Sequence, residues 1–125
     1  MNTKRNPVGW FEIYVQDMNR AKEFYEKTFG HKLEELPNPE MDMWTFPGTC
    51  DGGGATGALV KMEGKDSGLG GTIVYFSCDD CADNESRAVD AGGKIHLPKM
   101  SIGEYGFISL VYDTEGNMIG LHSTK

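Results

Sequence analysis

Glu12 is the residue of this chain whose setting most strongly suggests chemistry. A carboxylate set among Trp10, Phe11, Ile13 and Tyr14 faces desolvation and must be paired or hydrogen-bonded to offset it. Two uses fit such a group. One is a ligand anchor or general base; the other is a structural partner of Lys61 or Tyr75. His122 reads as a base, a metal ligand or a donor to a bound molecule, or as a partly exposed histidine with no such task. His31 and His96 follow glycines that stop helices and read as surface residues. Cys78 and Cys81 form Cys-Asp-Asp-Cys, open to a redox or a zinc reading or to no chemistry at all; zinc would need two further ligands. The segment from Lys99 to Gly106 has no phosphate-loop pattern. It reads as a rim from which Glu104 or Tyr105 touches a ligand.

The elements that carry these residues follow from periodicity. Val8 to Gln16 is rich in aromatic and branched residues, as strands are. Asp17 suits an N-cap, and Met18, Ala21, Phe24, Tyr25 and Thr28 recur at helical spacing. Gly30 ends that helix. Strands are expected over His31 to Leu36, Met43 to Phe46 and Thr56 to Met62, with Pro37, Pro39, Pro47 and Gly52-Gly53-Gly54 as turns or loops. The same order returns about 63 residues later, too long a period for a solenoid unit and suited to a duplicated half. The second copy reads as strand Thr72 to Cys78, helix Asp80 to Ala91 with Ala82 and Val89 as its weak apolar face, and a stop at Gly92-Gly93. Strands Lys94 to Leu97, Gly106 to Tyr112 and Met118 to Ser123 follow, the last two joined by a hairpin turn at 113–117. The spacing puts Asp17 over Asp80 and Gly57 over Gly120. We expect one α+β domain over residues 1–125, built from βαβββ modules at 8–62 and 71–123 with a Gly-rich linker at 63–70. A single helix leaves one sheet face of each module bare, so the two sheets side by side would make a cup-shaped mixed sheet with its helices outside.

Composition narrows the partners. A formal charge of −7 argues against nucleic acid and anionic membranes, both of which need a basic face. No run reaches the roughly 18 apolar residues of a membrane span, and Met1 to Pro7 has no signal-peptide core. Three cysteines suit a reducing compartment better than a disulfide framework. The expected location is the cytoplasm.

The opening Trp10-Phe11-Glu12-Ile13-Tyr14-Val15-Gln16-Asp17, the Phe24-Tyr25 pair ahead of Gly30, Ala91-Gly92-Gly93-Lys94 and the tail Asp113-Thr114-Glu115-Gly116-Asn117-Met118-Ile119-Gly120-Leu121 resemble the vicinal-oxygen-chelate superfamily. That superfamily holds glyoxalase I, extradiol dioxygenases and the fosfomycin and bleomycin resistance proteins. The resemblance runs over residues 8–123 and implies its cup-shaped fold. It also implies metal ligands at the first residue of each opening strand and at a glutamate in each closing strand. Those places hold Trp10, Ile73, Gly57 and Gly120, none with a side chain that coordinates a transition metal.

With those positions taken as inward, strand alternation turns Trp10, Glu12 and Tyr14, then Ile73, Tyr75 and Ser77, to the inner face. The same parity points Gly57, Leu59 and Lys61, and Gly120, His122 and Thr124, inward. Trp44, Tyr105 and Phe107 are further aromatic candidates for it. An aromatic cup with few polar groups suits a small organic ligand. The expected function is thus a glyoxalase- or bleomycin-resistance-like binding protein without the family's metal centre, and without a cofactor. The ligand contacts would be Trp10, Tyr14, Trp44, Lys61, Tyr75, Tyr105 and Phe107. The alternative is an enzyme, either a metal-dependent lyase, isomerase or dioxygenase with relocated ligands such as Glu12 and His122, or a metal-free acid–base catalyst using Glu12. A domain serving only as a subunit interface is a third reading. By analogy with open sheets that bury an edge, we expect a homodimer.

Overall fold

The structure is a computed structural model that describes residues 6–48 and 54–125. Cys50 and the Gly52-Gly53 part of the expected loop lie outside the described residues. Elements run β1 (Val8–Tyr14), α1 (Met18–Phe29), β2 (Glu34–Glu35), β3 (Asp42–Thr45), β4 (Thr56–Lys61), β5 (Thr72–Ser77), α2 (Cys81–Asp90), β6 (Lys94–Ser101), a 3-10 turn (Gly103–Tyr105), β7 (Phe107–Tyr112) and β8 (Met118–Ser123). The βαβββ order therefore occurs twice, and the class is α+β.

The chain divides into two compact units, Trp10–Ile73 and the remainder. In the first, strands lie in the order β2-β3-β4-β1. β1 is parallel to β4, and the other neighbours are antiparallel. Asp17 caps α1, its carboxylate accepting from Arg20 N at 3.0 Å. Gly30, at φ 74°, takes the left-handed turn that ends α1. Met18, Ala21 and Tyr25 of α1 then pack on Ile13, Val15, Leu33, Trp44, Phe46 and Leu59. The strand expected over 31–36 shrinks to Glu34–Glu35, because the Leu33 N–H donates to the Glu26 carboxylate at 2.8 Å rather than to a sheet neighbour.

In the other unit the order is β5-β8-β7-β6, with β5 parallel to β8 and the rest antiparallel. Asp80 caps α2 through Ala82 N at 2.9 Å. That helix ends with Gly93 N donating to Ala88 O and Gly92 N to Val89 O, the paired bonds that satisfy last-turn carbonyls. Its buried residues are Cys81 and Glu85, with Ala88 partly buried against the core, in place of the expected Ala82 and Val89. A carboxylate takes an apolar position because Glu85 accepts the Lys99 backbone N–H at 2.8 Å. β6 runs past its expected end, through Pro98 to Ser101. A proline is tolerated there because β6 is last in the strand order of its unit.

Candidate functional site

Three alternate residues of β1 form one bonded row. Glu12 Oε2 accepts from Trp10 Nε1 at 3.1 Å, and Glu12 Oε1 accepts from the Tyr14 hydroxyl at 2.8 Å. Successive side chains of a strand alternate between faces, so this row stands opposite Ile13 and Val15, which pack toward α1. Trp10 and Glu12 are half-buried and Tyr14 is buried. Burial, and then the adjacent Glu12 charge and hydrogen bond, push the Tyr14 phenol well above its ordinary range. Tyr14 is thus a fixed donor across neutral pH, and Glu12 is held from both sides by neutral aromatic groups.

The β4 residues behind this row are not the ones expected. Trp10 pairs with Thr56, Glu12 with Ala58 and Tyr14 with Val60. Gly57, Leu59 and Lys61 therefore share the face of Phe11 and Ile13. A Cβ on Gly57 would meet the Phe11 ring at 2.6 Å. In the second unit Tyr75 pairs with Gly120 and Ser77 with His122, so the two parallel pairs differ in register by one residue. Ala58 holds the place in β4 that Gly120 holds in β8, which corrects the expected match of Gly57 with Gly120.

That shift moves two candidates. Lys61 lies on the α1 side, exposed at the end of β4, so it is no partner for Glu12. It lines a cleft of about 700 Å³ with Gln16, Glu35, Asp42, Glu63 and Asp66, and the cleft lining includes none of Trp10, Glu12 and Tyr14. Trp44 pairs with Leu59 and packs in the α1 core. The Lys22 ammonium lies 3.2 Å from its ring centre, and its Nε1 donates to Asp42 at 3.0 Å.

In the second unit Tyr75 is buried, and its ring stands directly over Gly120, where any Cβ would collide with it. His122 follows on the same face, with Nε2 2.6 Å from the Tyr105 carbonyl oxygen. Tyr105 thus meets His122 through its backbone, while its side chain is exposed. Phe107 departs from expectation. It pairs with Ser123, out of phase with His122, and packs with Cys81, Val111 and Leu121 beside α2. The residues that do share the face of His122 and Gly120 are Ile108, Leu110 and Tyr112, with Met118 from β8 itself. Counting outward from the 113–117 turn, which pairs Tyr112 with Met118, would have found them. Asp113 fastens that turn by accepting from Glu115 N and Asn117 N at 2.8 and 2.9 Å.

The four places where the resemblance puts metal ligands do not suit a metal. Trp10 is turned onto Glu12, Gly57 faces Phe11, and Gly120 lies under Tyr75. Ile73 is a buried hydrocarbon. Among the described residues no group of three or more His, Cys, Asp or Glu is placed to hold a metal ion.

Known proteins match both sequence and fold. "Putative glyoxylase CFP32" of Mycobacterium tuberculosis is 26% identical over 119 residues, covering 94% of this chain and 46% of the relative. The chain therefore spans about half the length of that relative. A glyoxylase-like domain-containing protein of Didymella fabae is 30% identical over 114 residues, 88% of each chain. Methylmalonyl-CoA epimerase of Streptomyces coelicolor, in complex with 2-nitronate-propionyl-CoA, has a similar fold. It superposes with a TM-score of 0.69 at 18% identity, covering 96% of this chain and 98% of that one. The Mycobacterium tuberculosis epimerase gives 0.68 at 17% identity, covering 100% and 93%. The family model described as Glyoxalase/Bleomycin resistance protein/Dioxygenase superfamily matches residues 8–121, and the chain belongs to that superfamily.

Proposed function

We propose that this chain binds a small, partly aromatic organic molecule against the Trp10-Glu12-Tyr14 row, without the metal centre that many of its relatives use. The observation that carries the binding reading is the bonded Trp10-Glu12-Tyr14 row, and what supports its metal-free part is the Tyr75 ring over Gly120. It fills the direction in which a closing-strand carboxylate would project, so an aromatic surface replaces a ligand. On the opening strand, Trp10 and Tyr14 hold a carboxylate in place with two directed bonds. Such an arrangement can orient a polar group of a ligand while the rings cover its apolar part. On this reading the protein works in the cytoplasm as a homodimer, takes up no nucleic acid or membrane, and needs no cofactor. Sedimentation at micromolar concentration checks the dimer.

The test pairs elemental analysis of purified protein with thermal melts across a library of aromatic metabolites and acyl-CoA esters, the latter because the Streptomyces coelicolor epimerase of similar fold was solved in complex with 2-nitronate-propionyl-CoA. The reading expects no stoichiometric transition metal and a raised Tm with at least one organic compound. One metal per chain, lost on His122→Ala, would overturn it. A second reading, a metal-free acid–base enzyme using Glu12, is favoured by one contact, the Tyr14 hydroxyl 2.8 Å from the carboxylate, which keeps a fixed proton donor beside a potential base. Turnover of a bound compound that falls on Glu12→Gln would select it.

A further inference from the structure

The Cys-Asp-Asp-Cys run stands where β5 passes into α2 and has no part in the ligand reading. Its two thiols lie three residues apart in sequence, one just past the end of β5 and one at the start of α2, and each is held against one of two consecutive residues of β8, His122 and Ser123. Cys81 is fully buried as the first residue of α2, whereas Cys78 is only partly buried. Both are pinned to β8. Cys78 N donates to His122 O at 2.8 Å, and the Cys78 thiol reaches the same carbonyl at 3.5 Å. Cys81 N donates to Ser123 Oγ at 3.1 Å, and that hydroxyl donates to Cys81 Sγ at 3.2 Å. Neither thiol is in a disulfide, and among the described residues no metal-holding cluster includes them.

We propose that Cys78 and Cys81 are a dithiol modification site, closed to an intramolecular disulfide by a low-molecular-weight disulfide oxidant. Cys78 loses its proton and attacks one sulfur of the oxidant, expelling the other as a thiolate and leaving a mixed disulfide on Cys78. Cys81, held on the next residue of β8, loses its proton and attacks the Cys78 sulfur, expelling the second half of the oxidant. The protein gives up two electrons and two protons, and the oxidant leaves as two thiols. Holding both thiols against neighbouring residues of one strand favours the second step over escape of the adduct. Burial, the Cys81 thiol and its hydrogen bond push the Cys78 thiol up to about 12, so little thiolate exists at neutral pH. The first attack is therefore slow there and speeds up with alkalinity beyond the point where an ordinary thiol levels off.

The test uses the full chain carrying Cys50→Ser, incubated with oxidised glutathione at pH 7 to 9 and followed by intact mass and unreduced peptide mapping. The expected product has both thiols lost together, with the bond mapped between Cys78 and Cys81 and reversed by dithiothreitol. Its rate should rise about tenfold per pH unit across this range. Cys81→Ser should stop at a glutathione adduct on Cys78. If that buried substitution unfolds the chain, Cys78→Ser serves instead, and its buried Cys81 should stay unmodified. A lasting glutathione adduct on the Cys50→Ser chain, a bond between chains, reaction of Cys81 in the Cys78→Ser variant, or two intact thiols at pH 9 in folded protein would each overturn the proposal.

Discussion

At the scale of single residues, the Glu12 carboxylate is explained by its own strand. Trp10 and Tyr14, two positions away on either side, each donate one bond, which compensates a charge set among rings. Glu12→Gln keeps the shape and removes the charge. If the group anchors a ligand, binding should weaken strongly while the fold persists. If it serves structure alone, stability should drop by roughly 1 to 3 kcal/mol with no binding to lose. Thermal melts and ligand titration on this one variant separate the outcomes. Tyr14 makes a prediction with a definite sign. Its folded phenol ionises above the ordinary 10.0, so the folded state holds this proton longer than the unfolded chain. Its stabilising contribution is fully present below pH 10 and is lost as pH rises toward the folded value. Spectrophotometric titration should find a phenol that ionises above the ordinary tyrosine range and is lost in Tyr14→Phe, and that variant should flatten the alkaline loss of stability.

At the scale of elements, pairing register decides which side chains share a face. Gly120 is glycine because β8 lies beside β5 with the Tyr75 ring over its Cα. Gly120→Ala should lower stability by about 1 to 3 kcal/mol, the range for overpacking a tight contact. Gly120→Glu, which restores the residue type the resemblance implies, should be worse still and should not create a metal site. Denaturant melts and metal titration check both variants. Caps offer a milder test. Asp17→Ala removes the acceptor for Arg20 N and should cost about 1 kcal/mol, read as a lower denaturant midpoint at unchanged slope.

At the scale of the whole molecule, the charge of −7 is accompanied by carboxylates that the fold holds well below their usual range. The Lys99 ammonium and the Ala82 N–H do this for Asp80. The Asn117 backbone and side-chain N–H groups, and then Glu115 N, do it for Asp113. Both groups contribute stability above the unfolded carboxylate value, and that contribution is lost as pH falls through the folded one. The melting temperature should therefore decline as pH is lowered from 5 toward 3. Lys99→Met should reduce the part of that decline due to Asp80, with Asp113 unaffected.

The sequence by itself determined the order of elements, the caps at Asp17 and Asp80, the glycine that ends α1, and the twofold βαβββ repeat. These features are local, since capping, helical spacing and strand composition act over a few residues. The Trp10-Glu12-Tyr14 face was legible for the same reason, because alternation within one strand needs no partner. The partners on other strands were a different matter. Lys61 was assigned by carrying parity across strands, and parity inverts with a slip of one residue; Trp44 and Phe107 were candidates by aromatic type, which does not say which face a strand residue takes. Only the tertiary structure decided that Glu12 pairs with Ala58 while Tyr75 pairs with Gly120. Register between strands distant in sequence is chosen by how whole side-chain sets pack against α1 and α2. No local pattern of residues contains that information.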